Sequence, residues 1–162
     1  MFNPKNGIDY TQPGILYSFY VGLRVLGKKG TAVEGLIGTI ISIDDSDTNI
    51  LKLAVSFILP ANKSNVSLIR SRLHIPDNIG TASFLSSIIV NTNDVYSLEY
   101  IIGKASKEYH MLYKRYKLTT GDDKKKSIYD SLTSHSATLE QITNACIFTG
   151  YVDYSKIDNE II

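Results

Sequence analysis

Apolar and polar positions along the chain follow two different periods, and the change falls near residues 75–80. In the first part, segments 15–26, 33–43, 49–59 and 65–75 are rich in Val, Ile, Leu, Tyr and Phe. They are separated by Gly27-Lys28-Lys29-Gly30, by the polar knot Asp44-Asp45-Ser46-Asp47-Thr48-Asn49, and by Pro60-Ala61-Asn62-Lys63-Ser64. Short apolar runs bounded by turn-forming residues predict β-strands. Strands this closely spaced predict a small, highly bent sheet or barrel. Ile75-Pro76-Asp77-Asn78-Ile79-Gly80 then breaks the pattern and marks the expected boundary.

Beyond the break the spacing becomes helical. Phe84, Leu85, Ile88 and Ile89 predict a first short helix. Leu98, Ile101, Ile102, Ala105, Tyr109, Leu112, Tyr113 and Tyr116 recur three or four positions apart and predict a longer one starting near Val95. Gly103 lies inside it, costs about 1 kcal/mol relative to alanine, and is expected to mark a close crossing or a kink. After the turn at Thr119-Thr120-Gly121-Asp122-Asp123, two more helices are expected near 124–134 and 138–148, the second ended by Gly150. The expected fold class is α+β: a mainly β N-terminal half over 15–78 and a helical interaction region over 80–150.

The composition fits an ordinary globular chain: 162 residues, 43% apolar and 20% charged. That length is enough to bury a core without disulfides. A single cysteine, Cys146, rules out an internal disulfide and multi-cysteine zinc ligation, and its apolar surroundings predict an inert thiol. The net charge of +1 is uninformative, but its distribution is uneven. Lys104, Lys107, Lys114, Arg115, Lys117, Lys124, Lys125 and Lys126 face only Glu108, Asp122 and Asp123 over residues 104–126, which predicts a basic surface patch. Five of the eleven tyrosines, Tyr96, Tyr100, Tyr109, Tyr113 and Tyr116, fall between residues 96 and 116, the last three of them interleaved with these lysines. Such residues either form a seam against another element or stack on bases while lysines meet phosphates.

Catalytic chemistry finds little support. His74, His110 and His135 are scattered, and no HExxH, Cys/His cluster or phosphate-binding glycine loop occurs. Ser134-His135-Ser136 lacks a glycine elbow and a third partner. The expectation is a non-enzyme without cofactors. The N-terminus lacks a signal pattern, and the chain lacks a long apolar run, so an intracellular protein, cytoplasmic or nuclear, with no membrane span is expected.

Three stretches resemble the Sm-like family: Tyr20-Val21-Gly22-Leu23-Arg24-Val25, the turn Lys28 to Gly35, and Gly38 to Leu53 with its Asp44…Asn49 pair. A weaker fourth, Ser67 to Ile75, sits where the second Sm motif belongs, with Ser71 in place of the usual glycine after Arg70. The resemblance implies a strongly bent, five-stranded Sm-like or SH3-like barrel over 15–78; an OB-type barrel is the nearest rival. It also implies that Asn49 and Arg70 would hold a base in ring-forming members. Read from the residues alone, Asn49 closes a turn, Arg70 meets a carboxylate or phosphate, and Asp44 braces its loop. Extra residues around the Asp44 loop make the chain resemble the divergent enhancer-of-decapping and Gemin-type scaffolds. Those members imply protein partners, and a hetero-oligomer in preference to a homo-ring. The functional expectation is an interaction scaffold in RNA processing or ribonucleoprotein assembly. The alternatives are a direct RNA binder using Lys104, Lys107, Lys114 and Arg115, and a structural subunit of a larger viral or organellar particle.

Overall fold

The computed structural model describes residues 19–46 and 51–157, and these form an α+β fold. The elements in chain order are β1 (Arg24–Gly27), β2 (Ile37–Asp44), β3 (Lys52–Phe57), α1 (Lys63–Arg72), α2 (Thr81–Leu85), β4 (Ile88–Asn91), β5 (Val95–Ser97), α3 (Leu98–Leu118) and α4 (Asp122–Asn144). Among the described residues five strands make one antiparallel sheet in the order β4-β3-β2-β1-β5.

That order forces the sheet to curl. β4 and β5 are its two edges, yet Asn91 ends one and Val95 begins the other. A flat sheet would separate edges four strand spacings apart by about 19 Å. Four residue steps reach at most about 14 Å, and here a 3-10 turn, Thr92–Asp94, shortens them further. A capping box fixes this turn: Asp94 accepts a hydrogen bond from the Asn91 N–H at 2.9 Å. Two features of β2 permit the bend. A bulge lies between Ile40 and Ser42, and Gly38 leaves room for Val55 and Phe57, whose side-chain atoms would lie 2.6 and 2.8 Å from a Cβ there. Among the described residues the hydrogen-bonded ladder itself stays open.

Alternate residues of the strands feed two cores. On one face Val25, Ile40, Leu53, Val55, Phe57, Val90 and Val95 pack together with Ile69 of α1 and Leu85 of α2. Val90 and Val95 come from opposite edges, so the sheet wraps around this cluster. On the other face Leu26 and Ile37 pack against Leu98 and Ile101 of α3, Ile142 and Ala145, and the C-terminal Val152, Tyr154 and Ile157.

Several boundaries differ from the sequence pattern. Residues 65–75 do not form a strand; α1 occupies Lys63–Arg72. Asn62 begins it as N-cap, its side chain accepting from the Ser64 N–H at 2.7 Å, so the apparent turn at 60–64 is a helix start. Ile88 and Ile89 lie in β4 rather than in a helix, and Val95–Ser97 is β5 before α3 begins at Leu98. Two of the five strands therefore come from beyond residue 80, and the break at 75–80 does not separate sheet from helices. Gly103 has nothing within 4 Å of where a Cβ would stand, so it does not serve a close crossing. The helices expected at 124–134 and 138–148 are one helix, α4, followed by a π-helical turn, Ala145–Thr149. Within α4 Thr133 and Thr138 donate to the carbonyls of Tyr129 and Ser134, both at 3.0 Å, so these hydroxyls are satisfied along the helix. Gly150 ends the turn at φ 68°, as its position predicted.

Candidate interaction surfaces

Asp44 closes β2, and its carboxylate accepts the Ser46 N–H at 3.0 Å. The Ser46 side chain, and after it this backbone N–H, hold the Asp44 pKa below the usual carboxylate value, with a smaller pull from Lys52. Asn49 lies outside the described residues.

Arg70 stands in the last turn of α1. Its guanidinium donates to the carbonyls of Pro76 and Ile79, both at 2.9 Å, and to Thr81 Oγ1 at 2.8 Å. Its donors are directed at the loop that leads into α2, so Arg70 organises the chain at 76–81. Nearby, Arg72 donates to the Glu34 carbonyl at 3.1 Å and faces the Glu34 carboxylate at 3.7 Å, fastening α1 to the turn before β2. Neither arginine's role was readable from sequence, because each depends on where α1 docks.

Lys104, Lys107, Lys114 and Arg115 are all exposed on α3. Lys104, Lys107, Met111, Lys114 and Leu118 recur at three- and four-residue intervals and share one face. Met111 is 58% and Leu118 84% exposed along this stripe. The buried residues of α3 are Leu98, Ile101 and Ala105, all in its first half. Beyond them α3 and α4 continue as a two-helix arm joined through Gly121 at φ 104°. His135 of α4 ties the arm together: Nε2 lies 2.8 Å from Glu108 Oε2 on α3, and Nδ1 lies 2.8 Å from the Ser131 carbonyl. Both ring nitrogens are engaged, which leaves neither to activate Ser134 or Ser136.

Along one side of the arm runs a groove of about 380 Å³ lined by Tyr109, Tyr113, Tyr116, Tyr129 and Leu132, with Glu140 among its lining residues. Tyr116 and Tyr129 meet with ring centroids 6.3 Å apart. The ammonium groups of Lys117 and Lys125 sit over Tyr113 and Tyr116 at 4.7 and 4.9 Å from the ring centroids. Sequence spacing indicated a tyrosine seam; the groove needs α4 beside α3 and was not visible there.

A second apolar area surrounds the end of α4. Ile147 and Phe148 are 63% and 71% exposed on the π-helical turn. Ile58 and Leu59, also exposed, run past Gly150, and Ala61 donates its N–H to the Thr149 carbonyl at 2.9 Å. A polar cleft of about 530 Å³ lies beside it, between the start of α1 and α4.

Burial pushes the Cys146 thiol above its ordinary pKa, against a smaller opposing pull from Arg24. A nucleophilic thiol needs the opposite shift. Among the described residues no group of three or more His, Cys, Asp and Glu is placed to hold a metal ion, and no helix is long and apolar enough to cross a membrane. No protein-family model matches the chain, and neither a curated protein nor a solved structure shows significant similarity to it.

Proposed function

We propose that this protein is a non-enzymatic interaction scaffold in RNA processing or ribonucleoprotein assembly, built on a small Sm-like barrel. The observation that carries the reading is the pairing of a tightly curled sheet with a projecting helical arm, each bearing unpartnered apolar side chains. The curl of the β4-β3-β2-β1-β5 sheet, with the last strand beside the first, supports the barrel resemblance. Exposed Ile58, Leu59, Ile147 and Phe148 form a patch of the kind that marks protein–protein contact. The barrel and the arm would each hold a different protein.

The test is purification of the tagged chain from its native cell, with and without ribonuclease. RNA-processing proteins that stay bound after ribonuclease support the scaffold. Phe148→Asp should release at least one of them while leaving the circular-dichroism melt unchanged. Recovery of only capsid or organellar structural proteins would favour the particle-subunit alternative instead.

A second reading, direct RNA binding by the arm, is favoured by the exposed stripe of Lys104, Lys107 and Lys114 beside Arg115. Such contacts give a salt-dependent affinity, with a slope near 0.7 per phosphate contact for single strands.

A further inference from the structure

We infer that the tyrosine groove of the arm is a binding site for single-stranded RNA, with bases stacked on Tyr113, Tyr116 and Tyr129 and the backbone held by Lys117 and Lys125. This rests on the second reading above and gives it a location, on a different side of α3 from the Lys104–Lys107–Lys114 stripe.

The shape comes first. The groove is open, about 380 Å³ in volume; Tyr109, Tyr113 and Tyr116 of α3 and Tyr129 of α4 line it, and Glu140 is its acidic lining residue, distant in sequence from the lysines. Tyr129 is 58% and Tyr113 43% exposed, so part of each ring surface is accessible. An open row of rings suits flat, unpaired bases, which every nucleotide offers regardless of sequence. A duplex presents no such faces, because its bases are stacked on each other.

The charges then select the occupant. Arg115 and Lys117 fall in the last turn of α3, and Lys124, Lys125 and Lys126 within the first five residues of α4, so the tip of the arm is basic despite Asp122 and Asp123. An apolar peptide needs no such charge; a phosphate backbone does. Lys117 and Lys125 already lie on ring faces at 4.7 and 4.9 Å. An arriving base can take the place of each ammonium on the ring, and the freed ammonium can turn to the phosphate of the same nucleotide. The cation–π contact in the unbound protein keeps both side chains close to where the backbone would pass.

The experiment is fluorescence anisotropy of the full chain with a labelled single-stranded oligouridylate of about ten nucleotides, within the range of site sizes for such grooves. Tyr113→Leu and Tyr129→Leu should each weaken binding about tenfold, the loss expected when one stacked base goes. Tyr113→Phe should restore it. Lys117→Gln with Lys125→Gln should flatten the salt slope by about 1.4, two contacts at about 0.7 each. Matching thermal melts would show that the variants are folded. Binding unchanged by both leucine variants but reduced by Lys104→Gln with Lys107→Gln would overturn the groove and leave the basic-stripe reading standing. No binding by the unaltered chain at low salt would overturn both. Equal affinity for a duplex, or binding of a proline-rich peptide to the groove with no effect of the leucine variants on RNA, would also overturn this proposal.

Discussion

Tyr154 donates its buried hydroxyl to the carbonyl of Gly27 at 2.8 Å, across 127 residues of sequence. The bond joins the C-terminal 3-10 turn to the end of the first strand. Burial raises the pKa of this phenol far above the ordinary tyrosine value, with smaller contributions from Tyr96, Glu34 and Tyr151. The folded state therefore holds the proton more tightly than the unfolded chain. Above about pH 10, where an exposed tyrosine ionises, the unfolded chain binds fewer protons and stability falls as pH rises. Urea unfolding between pH 8 and 11 should show this decline. Tyr154→Phe should shrink it, leaving a remainder from Tyr96, which burial also raises. At neutral pH the same substitution should cost about 1 kcal/mol for the lost hydrogen bond.

Two glycines should respond to alanine in opposite directions. Gly103 lies in α3 with open space around it, so Gly103→Ala should stabilise the protein by about 0.5–1 kcal/mol. Gly35 sits at φ +79°, and a Cβ there would lie 2.4 Å from the Val152 carbonyl oxygen. Gly35→Ala should destabilise by more than 1 kcal/mol, since it strains the backbone and pushes the C-terminal segment off the sheet. Thermal or urea denaturation of the two variants checks both signs.

His74 is the residue with φ 52° among the non-glycine residues described. It follows the C-cap of α1, where the Ile75 N–H bonds to the Arg70 carbonyl at 3.0 Å and the His74 N–H to that of Ser71 at 3.3 Å. This is a Schellman ending with histidine in the position usually held by glycine. His74→Gly removes strain of about 1–2 kcal/mol, partly offset by the greater freedom of glycine in the unfolded chain. The expected outcome is a modest gain in stability, read as a rise in the denaturation midpoint.

Arg70→Ala should destabilise the protein by about 1–3 kcal/mol, because two carbonyls and Thr81 lose a charged donor. Increased proteolytic cutting within 76–81 should accompany the loss. RNA affinity should be unchanged once the melts are compared, and a specific loss of RNA binding in a fully folded Arg70→Ala would show that Arg70 meets the ligand directly.

The sequence determined the local features with local causes. The strand character of 37–44 and 52–57, the helix through Leu98–Tyr116, the stop at Gly150 and the bracing by Asp44 each follow from a period or from one side chain acting on nearby backbone. Helical spacing aligned Tyr109, Tyr113 and Tyr116 before any neighbour was known, and the uneven charge over 104–126 indicated a basic patch. The sequence misread residues 65–75, where Val66 and Leu68 imitate strand alternation while the actual helix depends on the Asn62 cap and on Ile69 entering the core. It also misread Ile88–Ser97, because short strands of three and four residues carry too few positions to show a period. Only the tertiary structure decided that these two strands become opposite edges of one curled sheet, since pairing joins residues far apart in the chain. For the same reason the groove between Tyr113 and Tyr129 exists only once α4 folds back on α3, and the employment of Arg70 follows from the loop that happens to lie beneath it.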